Sequence, residues 1–192
     1  LSTLTDNWEI VLVDDGSNDG TFDKMLELRI KDNRIKLVRF AHNLGQHHAT
    51  LCGIQRVKGD YIFTMDDDLQ NPPESIPNFI KKIDEGYDMV IGRIDENKKH
   101  SWWRNFASNI MQSFVTRLLR KPKNILLSPI KCMSKRAQAG ITSFNGKHVY
   151  IPALIFNSIP HDRICNIPVE HHSRQIGKSN YTIRKLFKVI SY

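Results

Sequence analysis

Long apolar runs, paired cysteines and biased tracts are all missing from this 192-residue chain. No stretch approaches the roughly 18 consecutive apolar residues of a membrane-spanning helix, and no basic start followed by an apolar middle marks a secretion signal. Cys52, Cys132 and Cys165 are odd in number and far apart, with neither a C-x-x-C spacing nor a histidine pair at zinc-ligand spacing. A disulfide framework and a zinc module are excluded, and a reducing cytosolic setting fits. Repeats of fixed period and low-complexity segments are absent too, which removes solenoids and disordered chains. With 40% hydrophobic and 25% charged residues, the composition is that of one soluble domain, residues 1–192, with a core of its own.

The formal net charge of +8 is unevenly spread. Residues 1–88 hold 10 Lys and Arg against 16 Asp and Glu, a net −6, whereas residues 89–192 hold 18 against 4, a net +14. An acidic half suits a metal cation, and a basic half suits phosphate groups or an anionic membrane surface. Nucleic acid is a poor partner for this pattern, because the basic residues do not alternate with aromatics and no DNA-binding motif occurs.

Along the chain, β-branched runs alternate with helical periodicity. Glu9 to Val13, Ile35 to Phe40, Tyr61 to Met65 and Tyr87 to Ile91 read as strands. Between them lie a helix capped by Asp19 with Phe22, Met25 and Leu26 on one stripe, a helix over 45–57, and a third with Pro77 in its first turn. This alternation predicts an α/β, Rossmann-like, mainly parallel sheet with helices on both faces. After Arg93 it stops. Trp103, Phe106, Ile110, Phe114 and Leu118 mark a long amphipathic helix, 125–133 and 163–171 read as strands, and 182–192 carries an apolar stripe opposite Arg184, Lys185 and Lys188. The chain divides into a nucleotide and metal half, 1–93, and an acceptor half, 94–192.

Ligands of such sheets bind beyond the carboxyl ends of the strands, and two of these ends carry clustered carboxylates. Three adjacent aspartates, Asp66, Asp67 and Asp68, repel one another unless a cation or hydrogen-bond donors compensate. In an extended stretch Asp66 and Asp68 face one way and Asp67 the other, so the first and third could share a hard divalent ion. A helix cap or an acidic turn would use the same residues. His47-His48 reads as a structural pair, since neighbours on a helix point about 100° apart; His171-His172 reads as structural too, with lining of the acceptor side ahead of Arg174 as the alternative.

The segments V-D-D-G-S-x-D-G-T (Val13 to Thr21) and M-D-D-D-L-Q-x-P-P-E (Met65 to Glu74) together resemble family 2 glycosyltransferases of the GT-A fold. The later R-x-x-G-x-S-x-Y (Arg174, Gly177, Ser179, Tyr181) is similar to the subgroup that makes polyprenyl-phosphate sugars, the dolichyl-phosphate mannose synthase and undecaprenyl-phosphate glycosyltransferase type. This resemblance implies a UDP- or GDP-linked sugar donor, with Asp14 under the nucleotide base and Leu12 and Asp15 beside it. It implies Mg²⁺ or Mn²⁺ on Asp66 and Asp68, with Gln70 adding an amide oxygen and Asp67 lying against the nucleotide sugar through its backbone. Asp68, Arg93 and Arg174 become the catalytic set, the two arginines gripping phosphate with a planar fork.

Three departures shape the expectation. The family's first strand has no counterpart before Trp8, and the chain starts without Met, which reads as a fragment truncated at its amino end. Ile125-Leu126-Leu127-Ser128 stands where an aspartate is usual, and Asn180 where a lysine is. A hydroxyl acceptor needs a base, whereas a phosphate acceptor is already an anion, so the missing aspartate favours a polyprenyl phosphate at the cytoplasmic face of a membrane. A saccharide hydroxyl as acceptor, and a non-catalytic nucleotide-sugar-binding domain, are the rival readings.

Overall fold

The computed structural model describes residues 7–66, 72–94, 122 and 124–170. The acidic strand end beyond Asp66, the expected helix around Trp103 to Leu118, Arg174 and the amphipathic segment 182–192 lie outside the described residues.

Strands β1 (Ile10–Asp14), β2 (Ile35–Arg39), β3 (Tyr61–Thr64) and β4 (Met89–Ile94) fall where the β-branched runs place them. Helices α1 (Thr21–Lys31), α2 (Gln46–Arg56) and α3 (Ile76–Asp84) connect them. At α1 the N-cap is Gly20 rather than Asp19. The Asp19 carboxylate still serves the first turn, accepting from the Thr21 amide at 3.1 Å and the Thr21 hydroxyl at 2.6 Å. Of the stripe expected on this helix, Met25 is buried while Leu26 stays exposed, because the helix covers only a narrow two-stranded sheet.

The strand expected over 125–133 begins only at Lys131, as β5 (Lys131–Ser134). Pro129 ends the irregular approach, and the preceding backbone bonds elsewhere: Leu126 donates to Asn166 Oδ1 at 2.8 Å and accepts from Asn166 Nδ2 at 2.9 Å. Two short helices, α4 (Lys135–Thr142) and α5 (Ile151–Ser158), fill a stretch with no assignable periodicity, and β6 (Ile164–Val169) closes the described chain.

The described strands form two sheets, β1-β2 and β3-β5-β4-β6. β1 and β2 are parallel, as are β4 and β6, while β5 runs against both β3 and β4. Five of the six strands therefore share a direction within their sheet, the mainly parallel architecture expected. Among the described residues β1, β2, β3 and β6 each pair on one side only.

The four-stranded sheet carries apolar side chains on both faces. Ile62, Met89, Ile91 and Met133 pack under α2, α4 and α5 with Leu51, Ile141 and Ile155. Val90, Cys132 and Ile167 pack on the other face around Phe79 of α3, which is fully buried. Gly92 is needed here, since a Cβ would stand 2.6 Å from Ile130 Cγ2. Helix α2 spans both sheets, with Val13 of β1 lying 3.6 Å from where a Gly53 Cβ would be.

Candidate active site

The carboxyl ends of β1, β3 and β4 share one end of the molecule with the start of antiparallel β5, so that Asp14, Asp66, Arg93 and Lys131 emerge together there. β1 and β2 end in register, pairing Asp14 with Arg39. The Asp14 side chain is wholly buried, and its Oδ1 accepts from the Ser17 amide at 2.9 Å. Arg39 Nε stands 3.2 Å from Oδ2, near enough for an ion pair but not aligned to donate, which leaves Oδ2 buried without a hydrogen bond. An acceptor in that position awaits a donor. Arg39 itself is braced, donating to the Ser17 carbonyl at 3.0 Å and lying 4.7 Å over the Phe22 ring. With Gly16, Asn18, Phe40 and Ala41 it lines an open cavity of about 300 Å³.

Asp15 and Leu12 have different surroundings. Leu12 is half-buried inside β1 and pairs with Leu37. The Asp15 carboxylate is taken up by the loop before α2, accepting from the Leu44 amide at 2.7 Å and the Gly45 amide at 2.9 Å. That loop crosses close over the preceding turn. Gly16, at φ +75°, could not carry a Cβ, which would meet the His42 carbonyl carbon at 2.8 Å.

The first turn of α2 ties this end of β1 to the end of β3. Gly45 is held by Asp15, and the next side chain, Gln46, donates through Nε2 to Asp66 Oδ1 at 3.3 Å. Asp66 is half-buried and offers a hard oxygen donor, the chemistry a divalent cation takes. Its expected co-ligands Asp68 and Gln70, and its neighbour Asp67, lie outside the described residues, as does Arg174. Among the described residues no cluster of three metal-ligating side chains forms. Arg93 is exposed on β4, two residues beyond Ile91, which pairs with Lys131.

Lys131 was not singled out as a site residue, and the structure gives it a central position. Only 9% exposed, it pairs across to Thr64 on one side and Ile91 on the other. Its Nζ donates to the Pro129 carbonyl at 3.0 Å and reaches the Thr64 hydroxyl at 3.5 Å. Burial pushes its pKa down to about 8, against the opposing pull of the Asp66 charge. A lysine interrupting the apolar run Ile130-Lys131-Cys132-Met133 is the sequence signal for it. Arg39 carries a signal too, a cation closing a strand that runs parallel to one ending in aspartate.

His47 and His48 diverge, as helical neighbours must. The His47 ring meets Tyr150 edge-on at 4.9 Å, while His48 Nε2 lies 3.4 Å from the Lys147 carbonyl. Burial, then the Lys131 and His48 charges, lower the His47 pKa and favour its neutral form.

Strands ending in carboxylates beneath a helix-loop bridge define an α/β fold of the GT-A kind. The family described as Glycosyl transferase family 2 matches residues 1–139, and the chain belongs to it as a glycosyltransferase. The fold is similar to that of glucosyl-3-phosphoglycerate synthase from Mycobacterium tuberculosis, in complex with Mn²⁺, UDP-glucose and phosphoglyceric acid. That likeness has a TM-score of 0.64 at 19% identity and covers 100% of this chain and 70% of that one. A mannosyltransferase from Pyrobaculum calidifontis, in complex with GDP-mannose and Mn²⁺, is similar with a TM-score of 0.51 at 18% identity over 83% of this chain and 47% of that one. Mannosyl-3-phosphoglycerate synthase from Rubrobacter xylanophilus gives 0.53 at 13% identity over 94% and 59%. No helix among the described residues is long and apolar enough to cross a membrane.

Proposed function

We propose that this glycosyltransferase moves a sugar from a UDP- or GDP-linked donor onto a polyprenyl phosphate. The observation that carries the acceptor class is the segment leading into β5: Ile125, Leu126, Leu127 and Ser128 offer no carboxylate there, and the first strand residue is the buried cation Lys131. A hydroxyl acceptor would need a base to take its proton. A phosphate oxygen attacks as an anion: its bond to the anomeric carbon forms as the bond from that carbon to the diphosphate breaks, and nucleoside diphosphate leaves.

On the donor side, Asp14 holds the nucleotide base through its unbonded Oδ2, and Arg93 and Arg174 grip the diphosphate. Asp66, Asp68 and Gln70 would hold Mg²⁺ or Mn²⁺, which when bound neutralises charge developing on the leaving diphosphate. The half-buried Asp66 oxygen suits that role, and two of the similar structures are complexes with Mn²⁺ and a nucleotide sugar. The segment 182–192 lays its apolar stripe in a lipid headgroup layer at the cytoplasmic face, each Lys or Arg near an anionic surface adding about 1 kcal/mol.

Calorimetry with UDP and GDP, with and without Mn²⁺, tests the donor site; sugar transfer to a short polyprenyl phosphate and to a free saccharide tests the acceptor. Asp68→Asn is expected to abolish the metal dependence of binding, and Asp67→Asn to matter less. Undiminished metal dependence in Asp68→Asn refutes the metal assignment. Transfer to the saccharide alone, without salt-sensitive sedimentation on anionic liposomes, refutes the lipid acceptor.

A further inference from the structure

The structure assigns to Lys131 a binding site for the anionic phosphate of the acceptor, formed at the start of β5 between α2 and the end of β3. This rests on the reading of a phosphate-bearing acceptor and names the residue that receives it.

Lys131 is a buried cation whose hydrogen bonds are to neutral oxygens. Nζ meets the Pro129 carbonyl and the Thr64 hydroxyl, and it forms no ion pair with a carboxylate among the described residues. A buried charge without a counter-ion is expensive for a fold to keep, and an arriving anion removes the cost. Asp88, comparably buried, is by contrast clasped by Arg136 at 2.8 Å and Arg163 at 3.3 Å. The third donor of the Lys131 ammonium remains for a ligand.

Its position sets it apart from the proposed base site: that site is the end of β1 with the turn at Gly16, whereas Lys131 opens the antiparallel strand between β3 and β4. Strand alternation puts it on the face shared with Thr64 and Ile91, beneath α2 and α5, where His47 and Tyr150 meet. Thr64, whose hydroxyl Nζ reaches at 3.5 Å, stands two residues before Asp66, so a phosphate on the ammonium would sit near the proposed metal end of β3. His47, held mainly neutral there, can offer the same anion a ring N–H.

The test is nuclear magnetic resonance on the intact chain with ¹³C-labelled lysine, titrated separately with farnesyl phosphate, 3-phosphoglycerate, inorganic phosphate, and UDP with Mn²⁺. Lys131→Gln identifies the resonance and, in calorimetry, is expected to weaken farnesyl phosphate roughly tenfold or more, the loss of one charge-assisted bond, while UDP with Mn²⁺ changes less than about twofold. Lys131→Arg is expected to restore most of the affinity. If Lys131→Gln does not fold, Lys131→Arg identifies the resonance by removing it from the lysine spectrum, and the titration of the unaltered protein then decides. The assignment is overturned if UDP with Mn²⁺ moves that signal as much, or if no phosphate moves it. Should the two soluble phosphates bind Lys131 as tightly as farnesyl phosphate, the anion site stands and the lipid acceptor falls.

Discussion

At the scale of single residues, Asp14 joins the fold to the proposed recognition of the nucleotide base. Its Oδ1 is satisfied by the Ser17 amide, so the turn that ends β1 is already made, and only Oδ2 is left for a ligand. Asp14→Ala is therefore expected to weaken nucleoside monophosphate and diphosphate binding alike, by about tenfold for one lost hydrogen bond to a charged acceptor. If calorimetry shows that the diphosphate alone suffers, Asp14 serves the phosphates and not the base. The position is legible in the sequence because a β-branched run collides with Asp14-Asp15-Gly16-Ser17, and a strand end is the only place such a collision fits. The functions of the two aspartates are not. That Asp15 bonds to the backbone at 44 and 45 while Asp14 keeps one oxygen without a hydrogen bond depends on a loop that arrives from beyond β2. Lys131 is hidden in the sequence for a related reason: a lysine within an apolar run marks a site only once both neighbouring strands are known to bury it.

At the scale of elements, the end of the sheet opposite the site is held by one carboxylate. Asp88, just before β4, accepts from Arg136 Nε at 3.0 Å and Ser134 Oγ at 2.7 Å, and Arg163 stands 3.3 Å away. Ser134 caps α4 in turn, accepting from the Ala137 amide at 3.2 Å. One side chain thus ties the starts of β4 and β6 to β5 and the first turn of α4. Asp88→Ala is expected to cost about 2–3 kcal/mol in urea denaturation, below the range for a fully buried pair because both arginines are partly exposed. Nucleotide affinity should change little, since the other end of the strands is untouched. A loss under about 0.5 kcal/mol, the size of an exposed pair, would show the network to be decorative. The sequence discloses the long elements well and these short ones poorly. α4 and α5 are eight residues each, too brief for a periodic signal, and their apolar positions are set by the core they enter.

At the scale of the whole molecule, the division into two sheets predicts how the protein opens. The four-stranded sheet is packed on both faces, with Met89, Val90, Ile91, Cys132 and Met133 completely buried. In β1 only Asp14 is buried, and β2 buries only Ile35. The two-stranded sheet consequently has fewer buried residues holding it and should open locally before the rest. In native-state amide hydrogen exchange, the β1 and β2 amides are expected to exchange through openings of lower free energy than those of β4 and β5. Because the proposed base site is made by those same strands, nucleotide at a hundred times its dissociation constant should raise their opening free energy by about 2.7 kcal/mol, up to the limit set by global unfolding. Amides of α3 that exchange by local fraying should not follow, since that helix packs on the opposite face and carries no proposed ligand contact. Equal exchange from both sheets in the free protein would refute the weaker coupling of β1 and β2. Protection that appears at α3 while β1 and β2 stay unmoved would place the nucleotide away from Asp14 altogether.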